Sequence, residues 1–369
     1  MLWRSDEHEA LTGREWDQEA ARDAIAAIVS DAEAAERDGF WPCHPQDDLA
    51  EDERLCSLYL GSAGMLWALH KLGSGLDARA EIARVLEHHR ASPSREEAQH
   101  PPSIWLGETG ILLVADRLGS PAANRSRLEE LVRQNREHLS WELTWGSPGT
   151  MFAARACGLR DAWKDSAARL WEQWDPDSGL WTQRMYGEVR QYVGPAHGFA
   201  GNVHALRGSV DDEVLRARVA GLLERLALRE GGLVNWLPSV GEPVSKIRVQ
   251  WCHGAPGIVS TLGDLLPESL LLGAGELTWR AGPLRKGPGL CHGTAGNGFA
   301  LLRLYALTCD QRWLERARRF AMHAIEQVDR QRAQFGRGRY TLWTGDVGVA
   351  LYLRACIDGN AGFPTIDTF

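Results

Sequence analysis

The chain has 369 residues, of which 44% are hydrophobic, and a formal net charge of −8. This length predicts one large repetitive domain or two ordinary ones, and the acidic balance argues against nucleic acid as the main partner. No segment reaches the roughly 18 consecutive apolar residues of a membrane span, and the charged sequence from residue 4 onward is unlike a signal peptide, so a cytoplasmic location is expected.

A Gly-x-x-Gly sequence followed by an apolar run recurs seven times along the chain. The first glycines of these units are Gly61, Gly107, Gly146, Gly198, Gly254, Gly293 and Gly345. The runs that follow, such as MLWALHKL and FALLRLYAL, are apolar on nearly all sides, which predicts helices buried on all sides. Glycine at such a helix start permits a tight turn and a close approach of neighbouring backbone.

Helices of a second kind, with a single apolar face, are predicted between several of these buried helices. Residues 16–36 place Ile25 and Ile28 on one stripe, and residues 124–139 and 310–328 repeat the pattern. An apolar helix that alternates with a one-sided helix predicts an inner and an outer ring.

We therefore predict an all-α fold, an α/α toroid of seven helical hairpins whose inner helices each start at a Gly-x-x-Gly. The toroid is expected to form a single domain over residues 1–369, with repeats recognisable from about 55 to 355. The segment between Gly257 and Cys291 is short and interrupted by proline and glycine. Its outer helix is therefore expected to be incomplete.

Reactive side chains precede the first glycine in three adjacent units. The two preceding residues are, in chain order, Tyr59-Leu60, Trp105-Leu106, Thr144-Trp145, Ala196-His197, Cys252-His253, Cys291-His292 and Trp343-Thr344. In a closed ring the fourth, fifth and sixth units are neighbours, so their thiols and imidazoles should converge on one rim. The helix N-termini at that rim favour the thiolate form of cysteine.

Two cysteines and a histidine at one rim suit zinc, whose preferred ligands are thiolates and imidazoles. We predict that Cys252, Cys291 and His292 hold Zn²⁺ and leave its fourth position open, as in catalytic zinc sites. Two alternatives stay open: the thiols are only buried core groups, or His253 completes a closed structural site. The chain has seven cysteines, and this odd number in a reducing compartment is unlike a disulfide framework. The other five cysteines lie outside the repeat pattern and are interpreted as core or incidental thiols. They are Cys43, Cys56, Cys157, Cys309 and Cys356.

At these residues the sequence resembles the lanthionine synthetase C-like family. WCHGAPG (251–257) and KGPGLCHGTAGNG (286–298) are similar to its two zinc-ligand motifs, and QYVGPAHGFAG (191–201) is similar to its histidine motif. The resemblance implies a seven-fold toroid and zinc bound by two cysteines and one histidine. It also implies addition of a thiol to dehydroalanine or dehydrobutyrine, which gives a lanthionine-type thioether.

The resemblance leans toward the eukaryotic-type branch, which binds glutathione. Lys286 stands five residues before the second ligand cysteine, as in glutathione binders, and Glu142 stands where peptide cyclases tend to have aspartate. Both are expected to contact substrate, namely glutathione or a thiol peptide, or a peptide or protein that carries a dehydroamino acid. His197, Arg248 and His253 are the expected catalytic residues. His197 would act as acid and base, Arg248 would hold an enolate oxygen or a carboxylate, and His253 would orient a ligand.

Two other functions are compatible with a toroid. A glycosidase-like enzyme would need paired carboxylates on the rim, where only Glu142 and Asp346 lie. A non-catalytic scaffold that binds zinc and glutathione or a peptide would share the metal site, so the sequence does not exclude it.

Overall fold

Each Gly-x-x-Gly unit begins a buried helix, as the sequence predicts. The computed structural model describes residues 1–369, with fifteen α-helices in chain order. They are α1 (Gln18–Ala35), α2 (Ser62–Leu72), α3 (Ala78–Ala91), α4 (Arg95–Gln99), α5 (Glu108–Arg117), α6 (Arg125–Asn135), α7 (Ser147–Ala156), α8 (Arg160–Glu172), α9 (Phe199–Leu206), α10 (Asp212–Leu226), α11 (Ala255–Leu262), α12 (Glu268–Ala281), α13 (Thr294–Thr308), α14 (Gln311–Phe335) and α15 (Asp346–Asp358).

The helices form two concentric rings, which confirms the α/α toroid. The inner ring consists of α2, α5, α7, α9, α11, α13 and α15, and each begins directly after the first glycine of its unit. The outer ring consists of α1, α3, α6, α8, α10, α12 and α14. Helix α1 packs against α15, so the first outer helix of the chain covers the last inner helix and closes the ring.

The second glycine of every unit is required by a close backbone contact. A Cβ atom added at any of these seven glycines would clash with the carbonyl oxygen of the residue six positions earlier. At Gly257 that oxygen belongs to Trp251, and at Gly296 it belongs to Leu290. The loop before each inner helix therefore folds back onto the first turn of that helix.

Replacing Gly257 by alanine is expected to destabilise the fold by about 1–3 kcal/mol, the usual cost of overpacking a core. Gly221 is a matched control, because it lies on the exposed face of α10 and a Cβ there would meet nothing within 4 Å. Gly221→Ala should instead stabilise the protein by about 0.5–1 kcal/mol through helix propensity. Chemical denaturation of both variants measures the difference, and equal stabilities would contradict the packing argument.

Backbone hydrogen bonds join neighbouring units along the rim where the inner helices begin. The N–H of Cys252 donates to the carbonyl of Cys291 (3.1 Å), and the N–H of Cys291 donates to that of Trp343 (3.0 Å). The series continues across the seam of the ring, from Trp343 to Tyr59 (3.4 Å) and from Tyr59 to Trp105 (2.9 Å). These residues hold equivalent positions in successive units, so the rim itself brings the two cysteines side by side.

The expectation of an incomplete outer helix after Gly257 is wrong, because residues 268–281 form the complete helix α12. Pro267 precedes the helix at its N-cap and does not interrupt it. Gly275 lies inside the helix because a Cβ there would clash with Leu304 and lie 2.9 Å from the ring of Trp313. This glycine permits close packing and does not break the helix.

The loops between the helices contain four short strands and four 3-10 helices. Strands β1 (Gln183–Met185) and β2 (Glu188–Arg190) form one antiparallel hairpin, in which Arg184 pairs with Val189. Strands β3 (Leu228–Glu230) and β4 (Leu233–Asn235) form another, in which Arg229 pairs with Val234. Four 3-10 helices cover Ser5–Glu7, Pro45–Asp47, Val244–Lys246 and Gly263–Leu265. Measured by length and hydropathy, none of the helices qualifies as a membrane span.

Candidate metal centre and active site

Three side chains from two neighbouring units converge at the rim. The sulfurs of Cys252 and Cys291 and a ring nitrogen of His292 all lie within 4.8 Å of one another. A tight turn presents Cys252, because Gln250 and His253 exchange two backbone hydrogen bonds of 3.1 Å around it. Both cysteines are buried and His292 is half-buried.

The two thiols differ in acidity because they form a hydrogen bond with each other. That bond lowers the pKa of Cys291 well below its usual range, and the neighbouring His292 and Tyr59 also favour this thiolate. The same bond, together with burial, raises the pKa of Cys252. The side-chain amide of Gln250 donates to the Cys252 sulfur at 2.9 Å. The pairing of the two thiols thus favours the thiolate at Cys291, beside the imidazole of His292.

This donor set fits a zinc ion. Two sulfurs and an imidazole nitrogen are preferred zinc ligands, and ligand atoms on one tetrahedral zinc lie about 3.3–3.8 Å apart. The observed separations, all within 4.8 Å, need only a small contraction to reach that spacing. Both thiols would bind as thiolates, since a coordinating thiol is deprotonated by the ion. His253 lies outside the cluster, which leaves room for a fourth ligand from solution.

His197 is held by a buried carboxylate. Its Nδ1 lies 2.9 Å from Oε2 of Glu142, whose side chain is completely buried. Glu142 also accepts hydrogen bonds from the backbone N–H groups of Thr144 (2.8 Å) and Trp145 (2.6 Å). Burial would raise the pKa of Glu142, but the hydrogen bonds from His197 and the backbone bring it below its ordinary value. The carboxylate therefore stays ionised and accepts the hydrogen bond from Nδ1 of His197. Nε2 is then the ring nitrogen of His197 that remains available.

The position of Glu142 differs from the expected contact with substrate. Its carboxylate is enclosed and its oxygens already accept from His197 and the backbone. A buried group with its acceptors occupied has none left to offer a ligand. The geometry gives Glu142 the role of orienting His197.

His253 lies beside His197, with ring centroids 5.7 Å apart. Burial lowers the pKa of His253 to about 3, and the nearby His197, Arg248 and His292 act in the same direction. Its imidazole is therefore neutral at physiological pH. Nδ1 of His253 is buried without a hydrogen-bond partner. This ring nitrogen, next to the candidate metal ligands, is therefore still able to form a hydrogen bond.

The two expected cationic residues lie at the edge of the site. Arg248 is half-buried and forms an ion pair with Glu7 at 3.1 Å. Lys286 is exposed, and its charge lowers the pKa of Cys252 in opposition to the larger effects that raise it. Both charges are thus close enough to influence the groups of the metal centre.

A cavity of about 160 Å³ extends from Cys291 of the candidate metal cluster to His197. Cys291 and His197 both line it, with walls from Tyr59, Trp105, Trp145 and Tyr186. Trp105 and Trp145 form an apolar wall of this cavity. Trp343 is completely buried and stacks on Tyr59 (5.6 Å, 12°). A larger groove of about 500 Å³ adjoins this cavity and shares Leu60, Glu96, Leu106, Trp145 and Tyr186 with it.

Sequence reasoning missed three residues of the site. Tyr59 holds the same rim position as the ligand cysteines, so the alignment of units contained its signal. Gln250 stands two residues before Cys252, and nothing in the repeat distinguishes it. Tyr186 stands at the tip of the β1–β2 hairpin, with 68% of its surface exposed, and contacts Trp145 edge to face (4.8 Å). Its place over the cavity follows only from the fold.

The model of the family described as "Lanthionine synthetase C-like protein" matches residues 6–368. The chain belongs to this family. Among curated members, it is 36% identical over 196 residues to the zebrafish (Danio rerio) "Glutathione S-transferase LANCL1", a match that covers 48% of this chain and 46% of the relative. It is 32% identical over 188 residues to "LanC-like protein GCL1" of Arabidopsis thaliana, covering 47% and 43%. The aligned region thus spans less than half the length of these two relatives.

The toroid of this family member is similar to a solved structure of "Nisin cyclase". The TM-score is 0.57 at 16% sequence identity, and the match covers 93% of this chain and all of the other. At that identity the similarity shows a shared fold. The family match and the shared fold agree with the seven-unit architecture described above.

Proposed function

We propose that the protein forms thioether bonds by adding a thiol, from glutathione or a peptide cysteine, to a dehydroalanine or dehydrobutyrine residue. One observation carries the proposal: Cys291 of the metal-type cluster and the carboxylate-oriented His197 line the same 160 Å³ cavity. A thiol-activating group and an acid/base group within one enclosed space are what this addition requires.

Zn²⁺ held by Cys252, Cys291 and His292 would supply the means to keep a substrate thiol deprotonated at neutral pH. Nε2 of His197 accepts the proton of the arriving thiol. The sulfur then bonds to the β-carbon while the π electrons of the double bond move toward the α-carbon and the adjoining carbonyl oxygen. His197 returns its proton to the α-carbon, so that the thiol and the alkene are consumed without any net loss of atoms.

The other residues of the site hold and shield these groups. Glu142 keeps His197 in the tautomer whose Nε2 is free, because its carboxylate accepts from Nδ1. Arg248, oriented by Glu7, can offer its guanidinium to the enolate oxygen or to a substrate carboxylate. His253 supports the metal ligands as a neutral neighbour. Tyr59, Trp105 and Trp145 give the cavity apolar walls.

Glutathione is the thiol that we favour. The name of the zebrafish relative refers to glutathione transfer, and the exposed cation Lys286 lies near the Cys252 thiol. Glutathione carries two carboxylates, which a cation at the edge of the site would attract. A glycosidase has less support, because the carboxylates nearest the rim are already used: Glu142 pairs with His197, and Asp346 pairs with Arg332 at 3.1 Å.

Mass spectrometry tests the proposal after incubation of the protein with glutathione and a dehydroalanine peptide. The peptide should gain the mass of one glutathione. Binding of glutathione without any adduct would indicate the non-catalytic scaffold. If free glutathione never adds but a peptide with both cysteine and dehydroalanine loses its alkylatable thiol at constant mass, the protein is a peptide cyclase.

Replacing Lys286 by alanine should raise the glutathione concentration at half-saturation about five-fold and leave kcat nearly unchanged. An exposed ionic contact contributes up to about 1 kcal/mol to binding, and Lys286 is exposed. Lys164→Ala is the matched control, since Lys164 is also exposed but lies on outer helix α8. Saturation curves at low and high salt measure the effect, and equal behaviour of the two variants would remove Lys286 from the thiol site.

A further inference from the structure

A second group of metal-type donors lies beside the larger groove, outside the rim site. Cys56 precedes the first inner helix α2, His89 lies near the end of α3, and Glu97 lies in α4. The Cys56 sulfur, a ring nitrogen of His89 and a carboxylate oxygen of Glu97 all lie within 4.8 Å of one another. All three side chains are buried.

Backbone hydrogen bonds fix Glu97 before any ligand arrives. Its Oε1 accepts from the N–H groups of Cys56 (2.7 Å) and Ser57 (2.8 Å), and its Oε2 accepts from the N–H of Ser94 (3.0 Å). A ligating carboxylate is commonly positioned by such outer hydrogen bonds. Oε2 has one backbone donor and keeps a second acceptor site free.

One ring nitrogen of His89, in the same cluster, has no hydrogen-bond partner. Its side chain is 7% exposed, and Nδ1 is buried without a hydrogen bond. The nearest acceptor, Oε2 of Glu97, lies 3.7 Å away, which is too long for a hydrogen bond. Leaving a buried polar atom unpaired destabilises the folded protein. The separation is, however, only slightly longer than the roughly 3.3–3.5 Å between a nitrogen and an oxygen ligand of one tetrahedral zinc ion.

We propose that Cys56, His89 and Glu97 bind a second divalent ion of the zinc class, independent of the rim site. The ion would give Nδ1 of His89 its missing partner and would replace the thiol proton of Cys56, which is released to solvent. A thiolate and an imidazole select zinc-like ions over calcium or magnesium, which prefer oxygen ligands.

The groove provides a route for the ion and a fourth ligand. Glu97, Ser57 and Ser94 line the 500 Å³ groove, so water can reach the carboxylate side of the cluster. The bound ion would join α3 and α4 to the segment that begins α2. It would therefore stiffen the wall of the groove that leads to the 160 Å³ cavity.

Elemental analysis of zinc tests this site without any assay of activity, so its outcome is separate from that of the proposed function. Wild-type protein reconstituted with zinc and then desalted should hold two equivalents. Cys56→Ala and His89→Gln should each hold one. Cys356→Ala, which removes another buried thiol, should keep two. In the His89→Gln variant the glutamine amide can donate a hydrogen bond to the Glu97 carboxylate. This variant is therefore expected to stay folded, so that a loss of zinc reports on the ligand and not on unfolding.

A cobalt spectrum gives a second readout. In the double variant Cys252→Ala/Cys291→Ala both rim thiols are absent, so a thiolate-to-cobalt charge-transfer band must come from another cysteine. The proposal expects this band, and expects its loss when Cys56→Ala is added. One equivalent of zinc in wild-type protein, unchanged in Cys56→Ala and His89→Gln, together with no such band, would overturn the proposal and leave a hydrogen-bonded core cluster.

Discussion

Cys291→Ala is expected to release the zinc of the rim site and to reduce thioether formation to background. The variant keeps only Cys252 and His292 as donors, and losing a ligand should weaken metal binding by more than the roughly 10- to 100-fold that follows loss of an outer-shell partner. The substitution also removes the Cys291 sulfur from the wall of the 160 Å³ cavity. Elemental analysis and the glutathione adduct assay measure the two losses.

The ring itself should survive this substitution. The contiguous core of buried side chains is built from helix packing around the whole toroid, so the far-ultraviolet circular dichroism of Cys291→Ala should match that of the wild type. Cys309→Ala is the control, because this thiol is exposed and lies outside both clusters. Wild-type protein that contains no zinc when purified without chelators would end the metal assignment.

His197→Asn should keep zinc and thiol binding but lose turnover by about 100- to 10,000-fold, the usual contribution of a positioned acid/base group. The asparagine amide can still donate to Glu142, which accepts from Nδ1 of His197 in the wild type, so the buried carboxylate is not left unpaired. The measurements are kcat, zinc content and calorimetric binding of glutathione.

Glu142→Gln provides a graded comparison for His197. The amide fills the same space but carries no charge, so His197 is oriented less firmly and kcat should fall less than in His197→Asn. If His197→Asn instead loses zinc stoichiometrically, His197 is a ligand, and the role given to His292 must be reassigned. Retention of full activity would exclude acid/base catalysis by His197.

The sequence predicted the ring because one physical constraint recurs in every unit. The second glycine meets the carbonyl six residues earlier in all seven units, so the spacing of glycines marks each inner helix without reference to its neighbours. The same reasoning failed at α12, where Gly275 serves contact with Leu304 between helices. Glycine demanded by packing and glycine demanded by a turn look alike in a sequence.

The candidate site was predictable only where it follows the repeat. Cys252 and Cys291 occupy equivalent positions of adjacent units, and His197 occupies the position of His253 and His292 in the preceding unit, so their convergence follows from ring closure. The pairing of Glu142 with His197 joins residues 55 positions apart, and their sequence spacing carries no signal of it. The Cys56 cluster stands outside the register of the repeat, so Cys56 looked like an incidental thiol.

The seam between the first and last units has a consequence for the order of folding. Asp31 of α1 pairs with Arg332 of α14, 301 positions later, at 3.1 Å. Contacts of such sequence separation form slowly, and a nascent chain cannot make them until almost all of it has been synthesised. The cluster residues Cys252, Cys291 and His292 belong to neighbouring units and can meet in an open arc. Tyr59 and Trp105 reach them only when the seam closes, so we expect the Cys252–Cys291–His292 cluster to form before the cavity is complete.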